Sequence, residues 1–338
     1  MLAAVFDEPR KIRITEKEVP VPKAGEVLVR VSAVGLCAGD LYIYLGKNPY
    51  VSFPRIGGHE VAGIVETLGP DTRGPEAGSL VVIDPFIGCG HCYACRVNKP
   101  NCCVNLQIIG VHHDGGFADF VVAPVNKVVP VPNGVSAYDA SFAEPVAIGV
   151  QACHRAQVTA DDAVLILGAG PIGLALVEVV RACGAKAYVT DIAKDRLAIA
   201  QQLGGIPLEA GEGLVERVRS LTNGDGMPVV IEATGAVAAI EQTIELVASG
   251  GRIVIVGLVR KGVPVTFPGL DLTRKEVTLL GSRASANCFA ESLSLIAQGK
   301  IHYPTIASRH HLKDAPLIFA RLAENPAALH KAVFVHES

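Results

Sequence analysis

The stretch Val164–Gly173 reads VLILGAGPIG and decides the fold class of the second half of the chain. It starts with four consecutive apolar residues, as in a strand that is buried on both faces of a parallel sheet. Glycines with the spacing G-x-G-x-x-G follow directly, and the helix-like segment Leu174–Cys183 comes next. A strand, this glycine spacing and a helix in that order are typical of a dinucleotide-binding turn. Glycines at an ordinary strand–helix turn are the less favoured alternative.

Each residue of this turn has a predicted part in cofactor binding. Gly168 permits the tight turn, Gly170 lets the backbone approach a pyrophosphate, and Gly173 lets helix and strand pack closely. Pro171 and Ile172 open the helix, whose N-terminus offers unpaired N–H groups and the positive end of its dipole to phosphates.

An acidic residue ends the next predicted strand. Asp191 stands 18 residues after Gly173, near the separation of about 20 residues at which a carboxylate accepts hydrogen bonds from the ribose hydroxyls. Because such a carboxylate repels a 2′-phosphate, the sequence predicts NAD rather than NADP. Arg196 is a further candidate for the cofactor site, although it stands too far along the chain to indicate a phosphate reader.

Outward from this motif, apolar runs alternate with helix-like segments. Ala187–Thr190, Val229–Glu232 and Ile253–Val256 look like buried strands, and Ala238–Val247 looks like a helix between two of them. This alternation predicts a parallel, doubly wound sheet of the Rossmann type. After about Arg283 no further clean alternation is expected.

The first 145 residues have a different pattern. Short apolar runs at Val27–Val31, Ala62–Val65 and Leu80–Ile83 are separated by glycines and prolines, which predicts a β-rich domain. The fold class is therefore α/β, with a β-rich domain preceding a doubly wound sheet.

Composition excludes several classes of protein. Of 338 residues, 30 are Lys or Arg and 33 are Asp or Glu, so the net charge of −3 argues against a nucleic-acid partner. The most apolar run, Ala163–Val177, has fifteen residues where a membrane span needs about 20, and it contains a proline. The N-terminus carries charges where a signal peptide is apolar. We therefore expect a cytoplasmic protein without a membrane partner, in which nine cysteines indicate metal binding or catalysis rather than disulfides.

Four of the cysteines have the spacing C-x2-C-x2-C-x7-C. Cys89, Cys92, Cys95 and Cys103 can converge on one tetrahedral Zn²⁺, and four protein ligands leave no open position, so this zinc is expected to be structural. Cys102 stands next to the fourth ligand and is an alternative to it. A nucleic-acid-binding zinc ribbon is disfavoured because only two basic residues accompany the cluster.

A second group stands outside that cluster. Cys37, His59 and Glu60 are individually unremarkable, but they lie in the strings GLCAGD (Gly35–Asp40) and GGHEVAG (Gly57–Gly63). Further strings of interest are AEPV at Ala143–Val146, EATG at Glu232–Gly235 and the glycine-rich Gly250–Gly257. Together with the four cysteines and the glycine turn, these resemble the zinc-dependent medium-chain dehydrogenases, and within them the branch that acts on polyols and sugar acids.

The resemblance implies a GroES-like catalytic domain beside a Rossmann domain, two zinc ions per chain, and NAD. It places the catalytic zinc on Cys37 and His59, with Glu60 and Glu144 in or near the ligand set, and leaves open which glutamate ligates. Asp40 is implied to orient His59. Three protein ligands leave an open position for a substrate hydroxyl.

The chain departs from the family where a proton relay begins. Relatives usually carry Ser or Thr two residues after the ligating cysteine, and often His three residues further on. Gly39 and Tyr42 stand at these positions. Since glycine cannot carry a proton, the predicted route is Tyr42, Glu60 or ordered water.

Substrate residues follow from the strings IGVHHDGGF (Ile109–Phe117) and LGSR (Leu280–Arg283), which are similar to those of sugar-acid dehydrogenases of the L-gulonate or L-galactonate type. His112 could hydrogen-bond a hydroxyl and Arg283 could bind a carboxylate through two N–H groups. For Arg283, a structural salt bridge or a contact with the cofactor is an equal alternative. Tyr44 is a further candidate.

The predicted reaction is oxidation of a secondary hydroxyl of a sugar acid by NAD, giving a keto sugar acid. A neutral polyol, as for sorbitol dehydrogenase, is the alternative substrate, and a non-catalytic NAD-binding sensor is the alternative class. A zinc-free quinone reductase is disfavoured by Cys37 and His59. The predicted domains are 1–146 with 286–338, and 147–285, and the resemblance implies a homodimer or homotetramer.

Overall fold

The structure is a computed structural model that describes residues 1–336 of the chain. The chain forms two compact units. The first comprises Met1–Glu144, Phe289–Ala297 and the described residues from Pro304 onward, and the second comprises Pro145–Cys288 and Gln298–Tyr303. The predicted domain ranges stay a prediction, because these units group contacts and do not show which segments fold alone.

The first unit is built from strands and short helices. Its strands are β1 (Leu2–Glu8), β2 (Lys11–Glu16), β3 (Glu26–Leu36), β4 (Arg55–Ile56), β5 (Glu60–Leu68), β6 (Leu80–Ile83), β7 (Phe86–Ile87), β8 (Gln107–Ile108), β9 (Phe120–Pro124) and β10 (Val128–Pro130). Its first helices are α1 (Ala38–Tyr44), α2 (Tyr93–Arg96) and α3 (Ala137–Ala140). The main sheet has the order β10-β6-β5-β3, with β9 also paired to β3, and a smaller sheet has the order β2-β1-β4.

The second unit starts within α4 (Ala143–Ala156). Its strands are β11 (Ala163–Leu167), β12 (Lys186–Asp191), β13 (Ile206–Glu209), β14 (Met227–Glu232), β15 (Val247–Ile255) and β16 (Thr278–Gly281), and its helices are α5 (Pro171–Ala182), α6 (Lys194–Gln202), α7 (Leu214–Leu221), α8 (Val237–Leu246) and α9 (Gly269–Arg274). The strand order is β13-β12-β11-β14-β15-β16, and each strand runs parallel to its neighbours. This order confirms the predicted doubly wound sheet, with its reversal between β11 and β14.

Burial explains why β11 lies at the centre of this sheet. Val164, Leu165 and Ile166 are fully buried, and Leu167 nearly so. Each such side chain contributes about 1.5–3 kcal/mol when it is removed from water, so a continuous apolar run is stable only where both faces of the strand are covered.

The C-terminal part of the chain differs from the expectation that alternation ends near Arg283. After α10 (Phe289–Ala297), the chain forms β17 (Ser308–His311), α11 (Ala315–Glu324) and β18 (Ala332–Val335), and β17 and β18 pair in parallel. β18 also pairs antiparallel with β3, so β17 and β18 extend the main sheet of the first unit. The alternation was missed because β17 reads SRHH, which has no apolar pattern.

An aromatic cluster forms the centre of the first unit. Phe6, Phe117, Phe319 and Phe334 are almost fully buried, and the rings of Phe117 and Phe334 meet edge to face with centroids 5.4 Å apart. A Cβ on Gly57 would lie 2.4 Å from the Phe6 ring. The Gly57–Gly58 backbone thus rests on this core, which places the following residue, His59.

Among the described residues, no helix combines the length and the apolar character that crossing a membrane requires.

Candidate metal centres and cofactor site

The four-cysteine group is assembled by a lobe between β7 and β8. Its sulfurs lie within 4.8 Å of one another, with the Cys92 Sγ 3.5 Å from the Cys95 Sγ and 3.8 Å from the Cys103 Sγ. Four sulfurs at about 2.3 Å from one tetrahedral zinc stand about 3.8 Å apart, so the arrangement fits the ion. Cys103 is buried and belongs to the group, whereas Cys102 is exposed and lies outside it.

Backbone N–H groups prepare these sulfurs for a cation. The Cys103 Sγ accepts hydrogen bonds from the backbone of Cys89 at 3.2 Å and of Asn105 at 3.3 Å. Backbone N–H groups of Cys95 and Val104 lower the pKa of Cys92 to about 6. Since the thiolate is the form that binds zinc, these N–H groups favour the metal-binding state of Cys92, whereas burial raises the pKa of Cys95 to about 11.

The second candidate metal group lies at the adjoining ends of two paired strands. Cys37 follows the end of β3, and His59 and Glu60 stand where β5 begins. One ligand atom of each of the three lies within 4.8 Å of the others. Strand pairing produces this meeting, because Gly35 of β3 faces Glu60 of β5 in register.

Asp40 connects the two segments that carry these ligands. Its carboxylate is fully buried and accepts hydrogen bonds from the Cys37 N–H at 2.9 Å and the Gly58 N–H at 3.0 Å. Its Oδ1 also lies 3.4 Å from the His59 Nδ1, a close approach rather than a formed hydrogen bond. Burial lowers the pKa of His59, but Asp40 and Cys37 together raise that pKa well above its usual range. A zinc ion would have to displace the resulting proton.

Glu60 has a partner that the sequence did not indicate. Lys331, which precedes β18 and is 4% exposed, places its Nζ 2.5 Å from the Glu60 Oε1 and also in contact with Oε2. The same Nζ donates to the Leu36 carbonyl at 3.1 Å. The available signal was a lysine followed by the apolar run AVFV, but nothing local connects position 331 with position 60.

Glu144 is buried at 3% exposure, but its ligand atoms are not in the Cys37–His59–Glu60 group. Its Oε2 finds no hydrogen-bond partner within residues 1–336. Burial raises the pKa of Glu144 to about 7; the charge of His59 opposes this rise and that of Glu60 adds to it. A buried carboxylate oxygen that has no hydrogen-bond partner among the described residues, near the charges of His59 and Glu60, is a donor that suits zinc.

The glycine turn of the second unit has the geometry of a nucleotide-binding loop. A Cβ on Gly173 would lie 1.9 Å from the Gly168 carbonyl oxygen, whereas a Cβ on Gly170 would meet no atom of the described chain within 4 Å. α5 begins at Pro171, so the open side of Gly170 lies at the helix N-terminus. The turn therefore leaves room for a pyrophosphate where the sequence predicted it.

Asp191 ends β12 beside this turn. Its Oδ2 accepts a hydrogen bond from the Ala169 N–H at 2.8 Å, and its Oδ1 accepts one from the Ala193 N–H at 2.9 Å. The Arg196 Nη1 lies 3.8 Å from the Asp191 Oδ2. The structure thus brings Asp191 and Arg196 together at the glycine turn, although the separation in sequence favoured only Asp191.

The predicted substrate residues have different surroundings. The His112 Nδ1 accepts a hydrogen bond from the Ile108 N–H at 3.0 Å, and burial lowers the pKa of His112, so the ring is neutral with its proton on Nε2. Tyr44 is 7% exposed and packs on Phe319 in the core. Tyr42 is 55% exposed, and Arg283 is exposed on the second unit. The structure does not bring Tyr44 to a surface that a substrate reaches.

Comparison with known proteins agrees with this chemistry. The family model described as Alcohol dehydrogenase GroES-like domain matches residues 23–133, and the model described as Zinc-binding dehydrogenase matches residues 171–298. The L-galactonate-5-dehydrogenase of Escherichia coli (strain K12) is 33% identical over 304 residues, which cover 89% of this chain and 88% of that protein. The chain belongs to the zinc-type alcohol dehydrogenase family.

Two further relatives of this dehydrogenase bear on its branch and its cofactor. The sorbitol dehydrogenase of Bacillus subtilis (strain 168) is 31% identical over 308 residues, which cover 88% of this chain and 86% of that protein. A crystal structure described as short chain alcohol dehydrogenase (rspB) from E. coli CFT073 in complex with NADH has a TM-score of 0.92 and 29% identity, and covers 99% of both chains.

The predictions about class are thereby confirmed. The GroES-like and Rossmann-type fold, the zinc-type oxidoreductase family with its polyol and sugar-acid branch, and dependence on zinc and a nicotinamide cofactor all hold. The individual ligand, cofactor-binding and substrate residues stay predictions that the geometry above makes specific.

Proposed function

We propose that this dehydrogenase oxidises a secondary hydroxyl of a sugar acid of the L-gulonate or L-galactonate type, with NAD as hydride acceptor, to give a keto sugar acid. The observation that carries the proposal is the buried group of Cys37, His59 and Glu60, with Glu144 nearby and without a hydrogen-bond partner for its Oε2 among the described residues. This donor set suits zinc, and zinc supplies the Lewis acidity that alcohol oxidation needs.

The residues of the first unit have different roles in the proposed catalytic centre. Cys37 and His59 would hold the zinc with Glu60 or Glu144, and the bound ion would lower the pKa of a substrate hydroxyl. Asp40 keeps the Cys37 and His59 segments in register through its two backbone hydrogen bonds. Lys331 compensates the charge of Glu60, whereas the Glu144 Oε2 has no hydrogen-bond partner among residues 1–336.

The proton of the alcohol has to leave by a route other than the usual hydroxyl side chain. A Cβ on Gly39 would lie 3.6 Å from the His59 ring and 3.9 Å from the Cys37 Sγ, so this position borders the metal ligands but offers no hydroxyl. Tyr42, Glu60 and ordered water are the candidates. If Tyr42→Phe leaves the pH dependence of kcat unchanged, Tyr42 does not carry this proton.

The substrate class is supported by similarity and by one loop. The loop that carries His112 packs on the backbone before His59, because Gly116 N–H donates to the Gly58 carbonyl at 2.8 Å. A neutral His112 offers its Nε2–H as a donor to a substrate hydroxyl, and Arg283 offers a guanidinium to a carboxylate. The relative that acts on L-galactonate is similar over most of its length.

A neutral polyol is the second candidate, supported by the sorbitol dehydrogenase relative. The deciding experiment is a panel of L-gulonate, L-galactonate, sorbitol and xylitol with NAD, followed by the absorbance of NADH. A kcat/KM at least ten times higher for an aldonate supports the proposal, and the reverse ranking supports the polyol. If the zinc-loaded protein binds NADH but oxidises no member of a broad panel of polyols and sugar acids, the result favours the non-catalytic NAD-binding sensor.

We propose that Asp191 makes the protein prefer NAD over NADP. A ribose 2′-phosphate at this position would face a carboxylate that two backbone N–H groups already hold in place. In titrations with NADH and NADPH, we expect the wild type to bind NADH more tightly. Tighter binding of NADPH by the wild type would refute this role of Asp191.

The structural zinc is proposed on Cys89, Cys92, Cys95 and Cys103. Cys103→Ser should lower the zinc content from two ions to one per chain, measured by mass spectrometry of the metal. Cys102→Ser is the matched control and should retain both. A cytoplasmic location and a homodimer or homotetramer stay proposals from composition and family resemblance, and light scattering of the purified protein tests the oligomer.

A further inference from the structure

The second unit contains a buried carboxylate that none of the roles above uses. Glu232 is the last residue of β14 and is fully buried. Glutamate is almost never fully buried unless its carboxylate is paired, so the contacts of Glu232 are informative. They connect two loops at the carboxyl edge of the parallel sheet.

The first loop follows β14. The Glu232 Oε1 accepts hydrogen bonds from the Thr234 N–H at 2.6 Å and the Gly235 N–H at 2.9 Å, and also from the Thr234 hydroxyl. The Thr234 Oγ1 in turn accepts the Ala236 N–H at 2.9 Å, immediately before α8. One carboxylate oxygen thus organises the whole turn from strand to helix.

The second loop follows β15. The backbone carbonyl of Glu232 accepts hydrogen bonds from the N–H groups of Val256 at 2.8 Å and Gly257 at 3.1 Å. The Oε2 has no hydrogen-bond partner in the described part of the chain and lies 2.6 Å from the point where a Cβ on Gly257 would be. The same Cβ would lie 2.1 Å from the Gly235 nitrogen. Glu232 therefore sits where the two loops touch.

The loop after β14 adjoins the glycine turn. Leu167 and Glu232 are register partners at the ends of β11 and β14, and a Cβ on Gly168 would lie 2.7 Å from the Thr234 Cγ2. The glycine turn and Asp191 belong to the half of the sheet formed by β11, β12 and β13. The Glu232 loops belong to the other half, and a doubly wound sheet binds the two halves of a dinucleotide across this reversal.

We propose that Glu232 is a positioning residue for the nicotinamide half of the cofactor. It sets the loops at 233–236 and 256–258 in the conformation that receives this half, without touching the adenosine half, which the glycine turn and Asp191 serve. The proposal rests on the nicotinamide-dependent dehydrogenase function stated above. A role in stability alone is the competing explanation, and the two differ in which cofactor fragments they affect.

The test compares NADH with ADP-ribose, which lacks the nicotinamide, in binding titrations of the zinc-loaded protein. Glu232→Ala should weaken NADH binding 10- to 100-fold and leave the Kd of ADP-ribose within twofold of the wild type. Glu232→Gln keeps an oxygen acceptor for the Thr234 turn and should recover part of the loss. The fluorescence emission of bound NADH should shift in the alanine variant, because the environment of its nicotinamide changes.

Glu178→Gln provides a matched control in the same unit. Glu178 is also fully buried and accepts backbone N–H groups, from His302 at 2.6 Å and Tyr303 at 2.9 Å. This variant should lower the melting temperature without changing the ratio of the two Kd values. An equal loss of ADP-ribose and NADH binding in Glu232→Ala, or no loss of either, would overturn the inference about Glu232. If the wild type binds no NADH, the proposed function fails as well.

Discussion

At the scale of single residues, the candidate catalytic centre contains charges that are buried together. Glu60 and Lys331 are both almost inaccessible to water, and each compensates the other. Removal of one partner from such a pair leaves the other as an unpaired charge in the interior, which costs about 3–5 kcal/mol. The same residues on the surface would contribute very little.

Lys331→Met should therefore lower the free energy of unfolding by about 3–5 kcal/mol, measured by urea denaturation of the zinc-free protein. The double variant Lys331→Met/Glu60→Gln should regain part of this loss, because the unpaired charge is gone. Arg30→Met is the control, since it breaks the exposed Arg30–Glu66 pair between β3 and β5 and should cost at most about 1 kcal/mol. Equal losses for the two single variants would show that burial of the pair is unimportant.

We expect Glu144 to make the stability of the zinc-free protein depend on pH. Burial raises its pKa from 4.5 to about 7, so the folded zinc-free protein holds this proton more tightly than the unfolded chain does. Protonated Glu144 raises the free energy of unfolding by about 3 kcal/mol at most. This contribution is fully present below about pH 4.5 and is lost as the pH rises through 7.

Glu144→Gln should accordingly make the zinc-free protein more stable than the wild type at pH 8, with a difference that shrinks toward pH 5. Denaturation curves at both pH values measure it. A difference that does not change with pH would contradict the raised pKa. In the zinc-loaded protein the same variant should bind catalytic zinc less tightly, because a donor oxygen has become an amide.

At the scale of elements, the pairing of β3 with β5 brings the proposed ligands of the catalytic zinc together. A Cβ on Gly35 would lie 1.9 Å from the Glu60 Oε2, so glycine in β3 provides the space that the Glu60 carboxylate occupies. The regular alternation of β3 predicts a strand at this point, but it does not predict which side chain of a neighbouring strand fills the gap. That information is in the register of the pair.

Gly35→Ala should displace the Glu60 carboxylate and reduce the zinc content from two ions to one per chain, with the four-cysteine site still filled. Gly39→Ala is the control, because its Cβ would be 3.6 Å from the nearest atom, an ordinary contact, and both ions should remain. Metal content by mass spectrometry measures the outcome, and NADH binding verifies that the second unit is folded. Two ions per chain in Gly35→Ala would show that Glu60 is not needed to hold the metal.

Which elements could be predicted depended on whether their pattern was local. β11 and α5 were predictable, because an apolar run, a glycine turn and a helix follow one another within twenty residues. β17 was not, since its sequence SRHH carries no apolar period and its place in the sheet comes from its parallel partner β18.

At the scale of the whole molecule, the two ligand classes belong to different units. Both metal groups consist of residues of the first unit, and the glycine turn with Asp191 lies in the second. A ligand that binds only the folded state at 100 times its Kd stabilises that state by about 2.7 kcal/mol. Zinc and NADH should therefore protect different parts of the chain.

Hydrogen exchange followed by mass spectrometry tests this separation. NADH should slow the exchange of backbone amides in Val164–Gly173, while removal of zinc by a chelator should speed exchange in residues 89–103 and leave the first effect intact. Loss of NADH protection after chelation would show that the second unit depends on the metals.

The sequence by itself determined the doubly wound sheet, the glycine turn and the four-cysteine pattern, because these are encoded in spacing and periodicity along short segments. The resemblance of its strings to a known family added Cys37, His59, Glu60 and Glu144 as candidate ligands of a second metal. Only the tertiary structure decided that Lys331 pairs with Glu60, that Asp40 bonds both ligand segments, that Cys103 rather than Cys102 joins the cysteine group, and that Glu232 connects two loops. The physical reason is that buried charges are stable only beside partners. In the first of these contacts the partners are 271 residues apart in the chain, a distance over which no local pattern carries information.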